Sequence, residues 1–290
     1  METRRLGRTE HRSSVAILGG AAYWGTASPD EARPSFEAAL AAGVNHLDIA
    51  PTYGAAEAVV GPLVPAVRDR LFVAGKTMRA NPEGAEAQFD DTRRLLGCDV
   101  LDLYQAHAVT SLDELDRRAG AIDRILSLRD RGATRFAGIT GHDLGAPATF
   151  TEALRRWDLD TVMFPVYPRL WADPQYRADA EELLATCAAR DVGVMAIKAV
   201  ARRPWSDAGD ASERWATSWY EPVDDDEAIA RGIAFALSTP GVTAFCTPGD
   251  LGLLPRVLAA AEATVPLTDD ERAAAVASMA AEPVIFPIPT

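Results

Sequence analysis

The chain of 290 residues has few cysteines, a deficit of basic residues and no long apolar run. Its cysteines (Cys98, Cys187 and Cys246) are far apart and never form a CxxC pair, so they offer neither a disulfide framework nor a zinc or iron–sulfur motif. This cysteine usage suits a reducing compartment, and we expect a cytoplasmic protein. The net charge of −13 would repel a nucleic-acid backbone, and no apolar stretch is long enough to span a bilayer. We therefore expect neither a nucleic-acid partner nor a membrane segment.

The sequence does contain a regular alternation of short apolar runs and longer amphipathic ones. Eight runs rich in Val, Ile, Leu and Phe, bounded by Gly, Pro or Asp, are predicted to be strands. They lie at residues 15–20, 45–50, 71–76, 100–107, 134–141, 161–168, 192–200 and 242–249. The segments between them are predicted to be helices, one of which begins after the N-cap candidate Ser28.

Eight such units predict an α/β fold, in which a parallel sheet covered by helices closes into a (β/α)8 TIM barrel. A doubly wound open sheet is the alternative, but no predicted strand is followed by GxGxxG. A long loop at 201–223 follows the seventh strand, and the C-terminal tail is predicted to begin with a capped helix. We expect a single domain over residues 1–290.

Four titratable side chains close or follow three consecutive predicted strands. Asp48 closes the second strand, with Tyr53 in the loop behind it, while Lys76 and His107 close the third and fourth. Because barrel chemistry collects at the C-terminal ends of the strands, these side chains are expected to converge. An adjacent ammonium would lower the pKa of Tyr53 and make the phenol a better proton donor, and Asp48 would supply the counter-charge to that ammonium. The set predicts proton transfer to or from a substrate oxygen, with His107 orienting a carbonyl.

The segments "HLDIAPTYG", "LFVAGKT" and "DVLDLYQAH" are similar, in order and approximate spacing, to the Asp, Tyr, Lys and His motifs of the aldo-keto reductase family. The opening "RRLGRTEHRSSVAILGG" also resembles the start of that family, and the resemblance covers essentially the whole chain. It implies an NAD(P)H-dependent barrel oxidoreductase that interconverts small-molecule carbonyls and alcohols. Tyr53 would be the general acid/base, tuned by Lys76 and Asp48, with His107 positioning the carbonyl. The family's habit implies NADP as the cofactor, with NAD as the alternative; the oligomeric state stays open.

The same resemblance implies a cofactor site, although several positions differ from the family pattern. Thr140 can replace the usual serine, whereas Gly141 lacks the amide of the usual asparagine, and Lys198 stands where relatives often have serine. Residues 248–249 precede a helix whose N-terminus could accept an anion, but Asp250 stands near where a basic clamp for a 2′-phosphate is expected. The candidate cofactor-binding residues are Gly20, Thr140, Gly141, His142, Tyr167, Lys198, Pro248, Gly249 and Arg256.

Aromatic residues near two of the loops offer a candidate substrate pocket for a bulky or aromatic compound. Tyr23, Trp24 and Trp205 are the main candidates, together with the loop residues Trp215, Trp219 and Tyr220. The alternative interpretation is that these rings only pack the loops down.

Two other functions remain open. A catalytically weak, aldo-keto-reductase-like protein that only binds cofactor would account for the departures at the cofactor site. A metal-dependent barrel hydrolase would use His46, Asp48, Lys76, His107 and His142, but the chain has no HxH pair and no metal is expected. His46 is interpreted as a packing residue that points to the other side of its strand from Asp48.

Overall fold

A computed structural model describes residues 1–206, 215 and 217–286 of the chain. Its centre is a closed barrel of parallel strands, in which the last strand pairs with the first. The strands are β1 (Ala16–Gly19), β2 (His46–Asp48), β3 (Phe72–Thr77), β4 (Leu101–Ala106), β5 (Thr134–Thr140), β6 (Thr161–Pro165), β7 (Gly193–Ile197) and β8 (Val242–Cys246). The predicted TIM barrel and all eight predicted strands are confirmed, although β6, β7 and β8 each end three residues earlier than expected. Pro168 already begins a helix, and Lys198 leaves the extended conformation with a φ of 70°.

Helices cover the outside of the barrel. The α-helices are α1 (Pro29–Ala41), α2 (Ala56–Val60), α3 (Pro82–Leu96), α4 (Leu112–Asp130), α5 (Ala146–Arg156), α6 (Pro168–Trp171), α7 (Pro174–Arg190), α8 (Asp226–Leu237), α9 (Leu254–Glu262) and α10 (Asp269–Met279). Short 3-10 helices lie at Gly7–Thr9, Gly20–Tyr23, Gly61–Leu63 and Pro65–Arg70. The Ser28 hydroxyl accepts a hydrogen bond from the Glu31 backbone N–H, which confirms the predicted N-cap of α1. Thr268 and Glu271 form a capping box at the start of α10, as expected for a capped tail helix. Within the described residues, no helix is both long and apolar enough to cross a membrane.

The barrel interior contains a packed apolar cluster. Its members are Leu6, Ile17, Phe72, Ala74, Leu103, Met163, Met195, Ile197 and Ala244. Each fully buried Leu, Ile, Met or Phe contributes about 1.5–3 kcal/mol to folding. The inward-facing polar residues Asp48, Lys76 and Gln105 lie at or next to the C-terminal ends of their strands, at the upper end of the barrel.

An N-terminal hairpin, which the apolar pattern did not predict, closes the bottom of the barrel. Its strands Thr3–Arg5 and Arg12–Ser14 pair antiparallel. The turn between them needs glycine at Gly7, which has a φ of 49° and where a Cβ would lie only 2.3 Å from the backbone nitrogen of Gly193. The hairpin therefore approaches the start of β7 at backbone distance and seals the end opposite the candidate site.

The predicted long loop after β7 contains a short antiparallel pair. Ala201–Arg203 pairs with Glu221–Pro222, and the Arg203 guanidinium donates to the Glu221 carboxylate at 2.7 Å. Residues 207–214 and 216 of this loop lie outside the described part. Its returning arm carries Trp219 and Tyr220 back to the top of the barrel.

Candidate active site

Neighbouring strands hold a chain of buried polar groups at the upper end of the barrel. Side chains alternate along a strand, so Asp48 on β2, Lys76 on β3 and Gln105 on β4 all point inward. The Lys76 ammonium donates to the Asp48 carboxylate and lies 3.2 Å from the Tyr53 hydroxyl oxygen. Gln105 Nε2 donates to the second carboxylate oxygen of Asp48 at 3.2 Å. The result is a continuous path from Gln105 through an ion pair to a phenol.

The ion pair is almost completely shielded from water: Lys76 is 1% exposed and Asp48 is 2% exposed. Burial alone would lower the pKa of Lys76, but the nearby charges of Asp48 and Tyr53 outweigh it and raise that pKa above its ordinary value. Burial raises the pKa of Tyr53 to about 12, although the positive charge of Lys76 opposes this shift. The expectation that the ammonium would give Tyr53 a lowered pKa is therefore wrong, because the loss of hydration is the larger effect.

Two histidines stand beside this phenol. The His107 ring is edge-on to the Tyr53 ring at 5.7 Å, and its Nε2 lies 3.4 Å from His142 Nε2. On its other side, His107 Nδ1 lies 3.5 Å from the hydroxyl oxygen of Thr52. Burial, followed by the charge of Lys76, lowers the pKa of His107 well below its ordinary value. Burial also lowers the pKa of His142 to about 3. Both rings are thus neutral at pH 7, and each carries one N–H donor.

A cavity of about 370 Å³ opens above these groups and lies within the size range of small-ligand sites. Its wall is formed by Ala21, Trp24, Asp48, Thr52, Tyr53, Lys76, Met78, His107, Ala108, Thr140, His142, Met163, Ile197, Lys198, Thr217, Ser218, Trp219, Tyr220, Cys246, Thr247, Pro248 and Gly249. The structure therefore brings Asp48, Tyr53, Lys76 and His107 together at one cavity.

Of the candidate cofactor-binding residues, five line this cavity: Thr140, His142, Lys198, Pro248 and Gly249. Thr140 closes β5, where its hydroxyl accepts a hydrogen bond from the Ala108 backbone N–H at 3.4 Å. The Nδ1 atom of His142 is buried and has no hydrogen-bond partner. A buried polar atom without a partner at a cavity wall is a candidate contact for a ligand.

Gly20 and Gly141 lie behind the cavity wall, and packing explains the lack of a side chain at both positions. A Cβ on Gly20 would lie 2.6 Å from Cγ1 of Ile49, and one on Gly141 would lie 2.3 Å from the carbonyl oxygen of Val109. Tyr167 is a fully buried core residue, and burial raises the pKa of its phenol. These three residues pack behind the wall in this structure, and their part in cofactor binding stays a prediction.

Arg256 also lies away from the cavity, on α9, where acidic side chains engage its guanidinium. Its Nε donates to Asp226 at 2.7 Å, and its NH1 donates to Asp224 at 3.1 Å. Arg256 would therefore have to exchange an acidic partner for a cofactor phosphate, and its part in cofactor binding stays a prediction.

The start of α9 differs from a free anion site. Asp250 Oδ1 accepts the Gly252 backbone N–H at 2.8 Å, and its Oδ2 accepts the Thr217 hydroxyl at 3.1 Å. The carboxylate thus consumes a donor ahead of the helix and ties down the returning arm of the long loop. Among the described residues, no side chain caps the helix itself, so the ability of its N-terminus to accept an anion stays a prediction.

The aromatic candidates divide into wall and packing residues. Trp24, 55% exposed at the rim, and the loop residues Trp219 and Tyr220 line the cavity. Tyr23 instead is fully buried, with its hydroxyl oxygen 3.3 Å from the Ser35 hydroxyl. Trp205 lies behind the wall and donates its indole N–H to the Ser218 carbonyl at 2.9 Å.

The interpretation of His46 is partly wrong. Residues two apart on a strand share a face, and His46 points into the barrel like Asp48 but one layer lower. There it packs against Phe72 and accepts or donates a hydrogen bond with Ser13 at 3.0 Å, so it is a packing residue as expected. Across the described ranges, no group of three or more His, Cys, Asp or Glu side chains could hold a metal ion.

The chain belongs to the aldo/keto reductase family, whose family model matches residues 16–216. A curated aldo-keto reductase from Mycobacterium avium is 32% identical over 130 residues, which cover 43% of this chain and 44% of that protein. A D-threo-aldose 1-dehydrogenase from a Pseudomonas species is 28% identical over 202 residues, covering 58% of this chain and 59% of that protein. The chain thus spans about half the length of these curated relatives.

The fold is shared with solved aldo-keto reductase structures. A holo-form aldo-keto reductase from Bacillus halodurans matches with a TM-score of 0.73 and 22% identity. The match covers 97% of this chain and 98% of that one. At this identity, the likeness establishes the fold and leaves the activity to be argued from the site.

Proposed function

We propose that this protein is an NAD(P)H-dependent oxidoreductase that interconverts carbonyl and alcohol groups on small molecules. The observation that carries the proposal is the path Gln105–Asp48–Lys76–Tyr53, which ends in a phenol at a cavity wall. Burying an ion pair costs desolvation energy and adds little to stability. Its presence at a cavity therefore suggests a task in the chemistry of the site. Here the task is to stabilise the negative charge that Tyr53 acquires when it gives up its proton.

Tyr53 is the general acid in the reduction direction. The substrate oxygen lies against the Tyr53 hydroxyl and accepts its proton while the carbonyl carbon accepts a hydride, so that the products are an alcohol and a tyrosinate. The hydride is what bound NADH or NADPH supplies. Lys76, 3.2 Å from the phenol oxygen, stabilises the tyrosinate, and Asp48 keeps Lys76 charged. Neutral His107 donates an N–H to the same substrate oxygen and orients it.

The residues around the cavity fit the nicotinamide end of such a cofactor. The unpartnered His142 Nδ1 and the Thr140 hydroxyl lie in the same wall and suit a carboxamide, which both donates and accepts hydrogen bonds. Pro248 and Gly249 form the adjoining wall below the returning loop arm, and a Cβ on Gly249 would meet nothing closer than 3.4 Å. A Cβ there would be in ordinary contact with Thr217 and Ala21, so the returning loop arm packs against this wall.

The preference between NADP and NAD is proposed to be small. Arg256 is paired with acidic residues, and the pair Arg202 and Arg203 is engaged by Glu221. Asp250 adds a negative charge where a 2′-phosphate clamp is expected. We therefore expect the dissociation constants of NADPH and NADH to lie within about tenfold of each other, or about 1.4 kcal/mol.

The test is a titration of the purified protein with NADPH and with NADH, followed by quenching of its six tryptophans. Saturable quenching, together with oxidation of the reduced cofactor when an aldehyde is added, is the expected result. Binding without turnover of any aldehyde would favour a protein that only binds cofactor. If neither cofactor binds, the proposed function is wrong.

A further inference from the structure

The chain contains only two lysines, Lys76 and Lys198, and all its other basic side chains are arginines or histidines. Both lysines line the same cavity. Lys76 has a defined task in the ion pair with Asp48. Lys198 has no such partner, because no carboxylate in the described part of the chain forms an ion pair with it. Both primary amines of the side chains are therefore at the cavity, and within the described residues only one of them has a carboxylate partner.

The backbone aims Lys198 into the cavity. It is the first residue after β7 and has a φ of 70°, a left-handed conformation that non-glycine residues seldom adopt. Its carbonyl accepts the Ala201 N–H at 2.9 Å, which holds the turn in place. Such strained residues cluster at functional sites, where the surrounding structure maintains them.

The ammonium of Lys198 sits against aromatic rings and near the reacting centre. Its Nζ lies 4.2 Å from the ring centre of Trp219 and 4.9 Å from that of Tyr220. Its positive charge contributes to the lowered pKa values of both His107 and His142. Lys198 is thus close to the group that orients the substrate oxygen.

Among the described residues that line the cavity, no other positive charge is free to meet an anion. The charges of Lys76 and Asp48 offset each other, and the two cavity histidines are neutral at pH 7. The other titratable groups facing Lys198 are the Cys246 thiol and the Tyr220 phenol, and burial raises the pKa of both. A negatively charged group entering the cavity would therefore pair with Lys198.

We infer that Lys198 binds the carboxylate of an anionic carbonyl substrate and makes this protein selective for carbonyl compounds that carry an acid group. The aromatic rings of Trp219 and Trp24 cover the body of the substrate, while its carbonyl oxygen lies at Tyr53 and His107. The expected selectivity in kcat/KM rests on the proposed oxidoreductase function. The expected affinity for carboxylates does not depend on that function.

The choice of lysine over arginine follows from the burial of this amine. Burial lowers the pKa of Lys198 to about 7, so the side chain can be neutral while the cavity is empty. An arginine would stay charged there, without a counter-ion and out of water. An arriving carboxylate raises the pKa of the amine again, so binding takes up a proton. The affinity for the anion should consequently fall as the pH rises above about 7.

The binding test uses benzoate and its neutral analogue benzamide, with tryptophan fluorescence as the readout, since Trp219 contacts Lys198. At a pH of about 6.5, benzoate should bind at least about tenfold more tightly than benzamide. Lys198→Met should abolish this difference and Lys198→Arg should restore it. In the wild type, benzoate affinity should fall between pH values of about 6 and 9, whereas in Lys198→Arg it should not. Equal binding of benzoate and benzamide by the wild type would overturn the inference.

The kinetic test compares 2-, 3- and 4-carboxybenzaldehyde with their methyl esters. Lys198→Met should lower the ratio of kcat/KM for the best acid to kcat/KM for its methyl ester by at least about tenfold, mainly through KM for the acid. The dissociation constants of NADH and NADPH are measured for the same variant, so that a loss of cofactor affinity is told apart from a loss of selectivity for the acid. A loss of cofactor affinity with unchanged benzoate binding would assign the anion to a cofactor phosphate and overturn the inference. If no aldehyde is reduced, the proposed function is wrong. The comparison of benzoate with benzamide then still tests whether Lys198 binds a carboxylate.

Discussion

The substitution Asp48→Asn tests whether the Asp48 carboxylate is needed to hold a charged Lys76 inside the barrel. Asparagine has nearly the same shape as aspartate, and its oxygen can still accept from Gln105, so little packing is lost. What changes is that the Lys76 ammonium, 1% exposed, remains buried without its counter-charge. Breaking a buried ion pair by removing one partner typically costs about 3–5 kcal/mol. We expect Asp48→Asn to lower the free energy of unfolding by about 3 kcal/mol at pH 7.

The pH dependence separates this electrostatic cost from a packing defect. In the variant, burial is no longer opposed by Asp48, so the folded-state pKa of Lys76 falls below its unfolded value of about 10.5. The unfolded state then binds more protons, and the stability of the variant rises with pH through that window. In the wild type, the raised pKa of Lys76 makes its contribution fully present below about 10.5 and lost as the pH rises above that value. The gap between the two proteins should therefore shrink between pH values of about 7 and 10.

The assay is urea unfolding at several pH values for wild type, Asp48→Asn, Lys76→Met and the double variant. Removing both charges should cost less than the sum of the two single losses, because no unpaired charge remains. Asp91→Asn is the matched control: Asp91 pairs with Arg94 and the two side chains are 66% and 67% exposed, so its removal should change the free energy of unfolding by less than about 1 kcal/mol. A loss for Asp48→Asn that does not change with pH would refute the electrostatic reasoning.

Two further predictions concern protons. In the alcohol-oxidation direction, Tyr53 must act as a base with a pKa of about 12, so kcat/KM should rise up to about tenfold per pH unit between about 7 and 10. Reduction of a neutral aldehyde should stay flat there, and steady-state rates in both directions check this; a flat oxidation profile would contradict it. At the bottom of the barrel, burial lowers the pKa of His11 to about 4, so the unfolded chain binds protons first as the pH falls below about 6.5. His11→Phe, which preserves the stacking on Phe72, should remove up to about 3 kcal/mol of acid-induced destabilisation in urea unfolding, and an unchanged acid slope would contradict this assignment.

The barrel was predictable because its signal is local. Each strand is a short apolar run ended by a turn residue, and the strand ends carry Asp48, Lys76 and His107 to the same place in any eight-stranded parallel barrel. Tyr53 could be assigned to the site because it lies only five residues beyond Asp48. A chain segment of five residues leaves Tyr53 few positions that are far from Asp48.

The parts that were not predicted depend on contacts between distant segments. The pairing of Arg256 with Asp224, 32 residues away, could not be predicted from the sequence. The position of the returning loop arm depends on the bond between Thr217 and Asp250, 33 residues apart. Residue types suggested that Tyr23 was a pocket residue, but its direction is set by the short helix that carries it. No periodicity in the sequence reports on any of these three features.

The most direct test of the central claim is the turnover of Tyr53→Phe beside a matched control, Tyr23→Phe, on one neutral aldehyde. Removing a general acid typically costs about 10²–10⁴-fold in rate. We expect at least about a hundredfold loss of kcat for Tyr53→Phe with NADH and NADPH affinities kept, and near wild-type turnover for Tyr23→Phe, whose ring lies outside the cavity. Full activity in Tyr53→Phe would contradict the account, because the substrate oxygen would then be protonated without the Tyr53 hydroxyl.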